Sequence, residues 1–72
     1  MMNDTLSWED TYSIAQELIR RHPDAQVENV SLGMIYRWTT ELPNFYDDIE
    51  LANDSILSAI YQEWLEEILT NE

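Results

Sequence analysis

Asp47 and Asp48 stand side by side, with Glu41 and Glu50 close to them in the chain. They fall in a stretch over 43–53 that is too polar and irregular for a helix. Neighbouring carboxylates on an irregular backbone can converge on a hard cation, which takes oxygen ligands. The spacing is not that of a calcium-binding loop, because the alternating acids, the central Gly and the closing Glu are missing. The competing reading is a solvated loop whose aspartates cap nearby backbone amides. A second acidic group, Glu63, Glu66 and Glu67, has the i, i+3, i+4 spacing of one helix face, with no Lys or Arg at pairing distance in the sequence. Like charges at that spacing destabilise a helix by a few tenths of a kcal/mol per pair, and a helix C-terminus disfavours anions further. A basic partner outside the chain would offset this local cost. A solvent-facing helix end that simply tolerates it is the alternative.

The other reactive side chains point to little chemistry. His22 follows Arg20 and Arg21, and no nucleophile with a recognisable signature accompanies it. Its place at a predicted helix end suits a capping role, and the two arginines suit the helix dipole. Arg37 lies between Tyr36 and Trp38, four residues before Glu41, which it could pair with; a partner's carboxylate is the other option. There is no cysteine, which excludes disulfides, thiolate metal sites and a cysteine nucleophile. No phosphate-binding loop, dinucleotide fingerprint, catalytic triad or histidine metal motif is present. The expectation is a protein that is not an enzyme.

Charge narrows the partners. Fifteen Asp and Glu face three Arg and no Lys, for a formal net charge of −12. Nucleic-acid binders need the opposite sign, because their affinity comes largely from neutralising phosphates. An anionic membrane surface repels such a chain for the same reason. A basic protein surface, reached by electrostatic steering, suits it. Solubility alone is an equally good use of the charge, and mutual repulsion at −12 favours a monomer. The start of the chain has neither the positive region nor the apolar run of a signal peptide, and no apolar stretch reaches the roughly 20 residues that span a bilayer. The expected setting is the cytoplasm.

These groups need a scaffold, and 72 residues predict one domain, 1–72, with 1–5 and 70–72 frayed. Such a chain has a small core, so the three Trp, four Tyr and Phe45 are expected to supply much of it. A first helix is predicted over about 8–21, with Ser7 as cap, Asp10 as the capping-box acid and a stripe of Trp8, Tyr12, Ala15, Leu18 and Ile19. It ends before Pro23, which disfavours helix at His22. The stretch 23–31 reads as a connection anchored by Val27 and Val30, in a short extended piece. A second helix starts near Leu32 behind Ser31, with Leu32, Ile35, Trp38 and Leu42 at helical spacing and Pro43 just past its end. Phe45 is expected to fold inward and pin the second connection. Asn53 caps a third helix running to about Leu69, with Ile56, Leu57, Ile60, Trp64 and Ile68 as its stripe. Trp8, Trp38 and Trp64 all fall on apolar stripes and read as core. The fold class is therefore all-α, a small three-helix domain.

One further pattern runs through nearly the whole chain, about 6–67. Leu6, Trp8 and Asp10, then Ile14 and Leu18, Pro23-Asp24, Trp38, Leu42, Phe45 and Asp47-Asp48, then Asn53, Ile56-Leu57, Ala59-Ile60 and Trp64-Leu65 follow in an order that resembles the IscX family. No single pair is distinctive, but the combination is specific. The family comprises small acidic proteins of bacterial iron–sulfur cluster assembly.

The resemblance implies a helical domain of modified winged-helix type. It implies association with a cysteine desulfurase, on a basic surface shared with ferredoxin and the frataxin homologue, and modulation of sulfur delivery. It also implies weak iron binding through exposed carboxylates, with no tightly bound cofactor. Asp10, Asp24, Asp47 and Asp48 fall on acidic positions of the family pattern, and Glu41, Glu66 and Glu67 keep acidic character there. The expected partner contacts are Glu41, Asp47, Asp48, Glu66 and Glu67, and the expected metal ligands are Asp10, Asp47 and Asp48. The family pattern is denser in acids around the phenylalanine, where this chain has Pro43, Asn44 and Tyr46. That departure bears more on iron, which needs several oxygens about 2 Å from one ion, than on docking, which needs only a spread-out field. Two functions follow: an adaptor that tunes the desulfurase, or a ferrous iron carrier. A DNA-mimicking inhibitor is a third, which the family pattern disfavours.

Overall fold

The computed structural model describes residues 5–70, so of the stretches expected to fray, 1–5 and 70–72, all but Thr5 and Thr70 lie outside the described residues. Three helices carry the fold: α1 (Thr11–Arg21), α2 (Leu32–Thr40) and α3 (Asp54–Thr70). Two 3-10 turns, Val27–Asn29 and Ile49–Leu51, interrupt the connections. Helix α3 packs mainly on α1 and secondarily on α2. The all-α expectation holds. Among the described residues the only β pairing is a single parallel bridge between Leu6 and Phe45, and no hairpin forms a wing. No described helix is long and apolar enough to cross a membrane.

The starts of α2 and α3 follow from local chemistry. Ser31 Oγ accepts the Met34 amide at 3.2 Å, and Asn53 Oδ1 accepts the Ile56 amide at 2.9 Å. Each satisfies a backbone donor that has no partner inside its helix. The start of α1 departs from expectation. Ser7 to Asp10 is a turn, closed by the Asp10 amide on the Ser7 carbonyl at 2.9 Å, and the helix begins at Thr11. Asp10 Oδ2 still accepts the Ser7 amide at 2.9 Å, as a capping-box acid would. The Trp8 amide, ahead of the helix, donates to Asp47 Oδ2 at 3.0 Å instead.

The core draws on loops as well as on helices. Ile14, Ala15 and Leu18 of α1, Ile35 of α2, and Leu57, Ile60 and Trp64 of α3 meet Leu6, Trp8, Leu42 and Phe45 from outside the helices. Phe45 is buried, as expected. Tyr12 is not on the buried face: it is 56% exposed, and Ile14 takes the inward position. Trp38 and Leu32 pack against the core only partly buried. Leu42 is buried past the end of α2 rather than on it. Val27 opens a 3-10 turn and Val30 follows it in extended backbone, so the expected extended piece shrinks to the flanks of that turn; the Tyr61 hydroxyl donates to the Val27 carbonyl at 3.3 Å.

Thr39 is the exception in the core. It is fully buried, and its Oγ1 has no hydrogen-bond partner among the described residues. Burying an unpaired hydroxyl costs about 1–3 kcal/mol. Thr39→Val replaces it with a methyl of similar shape. The expected gain is about 1 kcal/mol, or about 4–8 °C in Tm for a domain of this size. Thermal denaturation followed by circular dichroism checks it, and a lower Tm would mean that the hydroxyl is paired in solution.

Candidate docking surface

The second connection is tied to the N-terminal segment by a ladder of specific bonds. The Leu6 amide donates to the Asn44 carbonyl at 2.8 Å, and the Tyr46 amide donates to the Leu6 carbonyl at 2.9 Å. One step on, the Trp8 amide donates to Asp47 Oδ2 at 3.0 Å, and the Trp8 indole Nε1 donates to the Asp48 carbonyl at 2.9 Å. Behind them the Trp8 ring meets Phe45 edge-on, with centroids 4.7 Å apart, and stacks over Tyr36 at 6.2 Å. The loop is braced internally as well: the Asp48 amide donates to Asp47 Oδ1 at 2.7 Å, and the Glu50 amide to Asp48 Oδ1 at 3.1 Å.

This ladder assembles an acidic corner from two parts of the chain. Glu9 and Asp10 directly follow Trp8, so the bonds that fix Trp8 to Asp47 and Asp48 bring them to the same end of the molecule as Asp47, Asp48 and Glu50. All of these acids are exposed. Two of the three arginines lie elsewhere. Arg20 and Arg21, at the end of α1, both reach Glu17, at 2.6 and 3.4 Å. Next to them the His22 imidazole stacks on Trp38, with centroids 3.9 Å apart. Arg37 and Glu41 are joined through backbone, the Glu41 amide donating to the Arg37 carbonyl at 3.1 Å, and they are not among the described ion pairs.

The expected contact residues do not form one patch. Glu41 is exposed at the C-terminal end of α2, and Asp47 and Asp48 belong to the corner. Glu66, exposed, and Glu67, half-buried, lie near the C-terminal end of α3. At 1.5 Å per residue, Glu66 stands about 20 Å along that helix from its cap, Asn53. Of the expected metal ligands, Asp10 and Asp47 already spend carboxylate oxygens on the Ser7, Trp8 and Asp48 amides. Among the described residues no group of three or more His, Cys, Asp or Glu side chains is arranged to hold a metal ion. Glu9 has its place in the corner through a bond spanning 39 residues, for which the local sequence carries no signal.

Comparison with known proteins covers nearly the whole chain. The iron–sulphur cluster assembly family matches residues 6–69, from the Leu6 bridge to the last turn of α3. An uncharacterized protein of Pseudomonas aeruginosa is 35% identical over 63 residues, covering 88% of this chain and 96% of the relative. The match therefore takes in the ladder, the acidic corner and all three helices together, and the chain belongs to the iron–sulfur cluster assembly family that its residues resemble, the IscX family.

Proposed function

We propose that this chain is an adaptor of iron–sulfur cluster assembly that docks on a cysteine desulfurase through its acidic corner and tunes sulfur delivery. The observation that carries this reading is the tie between Trp8 and Asp47–Asp48, which gathers Glu9, Asp10, Asp47, Asp48 and Glu50 at one end, while Arg20 and Arg21 sit at the far end of α1. A one-signed patch of this kind steers a protein onto Arg and Lys of a basic surface. Glu41, Glu66 and Glu67 strengthen the long-range field. The mechanism is occupancy: the bound adaptor excludes other acidic partners from the desulfurase or restrains its sulfur-carrying loop. The adaptor works as a monomer in the cytoplasm.

Calorimetric titration of the chain into its host's cysteine desulfurase tests this. Binding in the micromolar range is expected at low salt. Raising salt from about 0.05 to 0.5 M shortens the screening length severalfold and is expected to weaken binding about tenfold, mostly through the association rate. Binding indifferent to salt would argue against the acidic corner, and no binding at low salt against the adaptor itself.

Carriage of ferrous iron by Asp10, Asp47 and Asp48 is the second reading, and it has less support. Their oxygens are engaged in bracing backbone amides, so taking iron there would mean giving up bonds that hold the loop. An iron titration that broadened the resonances of all three aspartates together would favour the carrier.

A further inference from the structure

Residues 46–51 are exposed without interruption, and they alternate in character: Tyr46, Ile49 and Leu51 among Asp47, Asp48 and Glu50. Tyr46 is 69% exposed, Ile49 49% and Leu51 56%. Single exposed apolar side chains need no explanation, but several within six residues, ringed by acids, mark an interaction surface. Nor is the segment slack. Besides the ladder to Leu6 and Trp8, the Leu51 amide donates to the Asp48 carbonyl at 3.0 Å and the Ala52 amide to the Ile49 carbonyl at 3.3 Å. Phe45, immediately before, is buried in the core. The backbone that carries these side chains is therefore held in place, which lowers the ordering cost of binding.

We infer that Tyr46, Ile49 and Leu51 are the apolar anchors of the docking surface, and that they fit an apolar depression bordered by Arg and Lys on a partner protein. This inference rests on the docking proposed above and divides the labour within it. Charge complementarity selects the occupant. Asp47, Asp48 and Glu50 lie between the anchors, and Glu9 and Asp10 lie beside them, so the rim of the matching site is basic. A second copy of this chain would bring the same acids against them at a net charge of −12 each, and an anionic membrane would be repelled likewise. The carboxylates govern how fast the partner is found. Once docked, the anchors leave water and govern how long it is held.

The test compares Tyr46→Ser, Ile49→Ser and Leu51→Ser with the unaltered chain, reading association and dissociation rates separately on the host's cysteine desulfurase. Alanine variants at the same positions give graded, milder changes. Leu69→Ser is the control, since Leu69 is equally exposed but lies at the far end of α3. Each variant removes an exposed side chain and is expected to melt as the unaltered chain does. The expected result is dissociation about tenfold faster for each serine variant, with association nearly unchanged and the control unaffected. Binding by the unaltered chain with dissociation unchanged in all the variants overturns the anchors and leaves the docking standing. Absence of binding by the unaltered chain removes the docking and the anchors with it. Self-association of the unaltered chain that the same serine variants abolish would make a second copy the occupant and overturn the inference.

Discussion

Replacing Trp8 with alanine is expected to unfold the domain or bring it close to unfolding at 25 °C. Trp8 is 2% exposed, lies outside every helix, and still fills the centre of the contact between the N-terminal segment, α2 and the second connection. Truncating a buried Trp or Phe to Ala costs about 3–5 kcal/mol, and a domain below about 70–80 residues holds little more than that in total. Two further losses add to it: the edge-on contact with Phe45 and the indole bond to the Asp48 carbonyl. Trp8→Phe separates these terms. It keeps a ring against Phe45 and Tyr36 and gives up the indole donor, so a loss of about 1–2 kcal/mol is expected. Circular dichroism melts of both variants decide the matter. A Trp8→Ala chain melting within a few degrees of the unaltered one would mean that the ladder, not the ring, holds the segment down.

What could be seen in the sequence beforehand was the part of the fold that neighbours decide. Ser31 and Asn53 were recognisable as caps because a cap bonds to a residue three positions on. The face of α3 was readable because Leu57, Ile60 and Trp64 repeat with the period of the helix that they bury. The first segment misleads for a physical reason. Trp8 is so strongly apolar that it sets the phase of the stripe, although it is held by Asp47 and stands before the helix. Counting from Trp8 puts Tyr12 inward, whereas α1, starting at Thr11, turns Ile14 inward and Tyr12 to water. The acidic corner had the same fate. Its members were visible as acids, but their assembly depends on bonds between segments far apart in the chain. The apolar side chains at 46–51 carry no periodicity at all, and only their exposure singles them out.

Asp47→Ala is expected to cost about 2 kcal/mol, or about 8–16 °C in Tm, although Asp47 is exposed at the surface. Both of its oxygens serve as acceptors, Oδ2 for the Trp8 amide and Oδ1 for the Asp48 amide. Bonds to a charged acceptor are the stronger kind, and here one of them joins segments 39 residues apart. Asparagine recovers only part of this loss. It keeps one carbonyl oxygen but turns an NH2 towards the other amide, donor against donor. Asp48, with the same side chain one residue on, caps only the exposed Glu50 amide, so Asp48→Ala is expected to cost about 0.5–1 kcal/mol. The difference bears directly on docking. Under the docking proposed above, and once corrected for the fraction folded, Asp48→Ala should slow association with the desulfurase by about as much as any single acid of the corner. Asp47→Ala should lower binding mainly through the loss of the fold that presents the corner. Melts of the two variants, followed by association rates measured well below both transitions, separate the roles. Equal melting temperatures would show that the Trp8 amide does not need Asp47, and the corner would then be held together by the Leu6 bridge and the Trp8 indole alone.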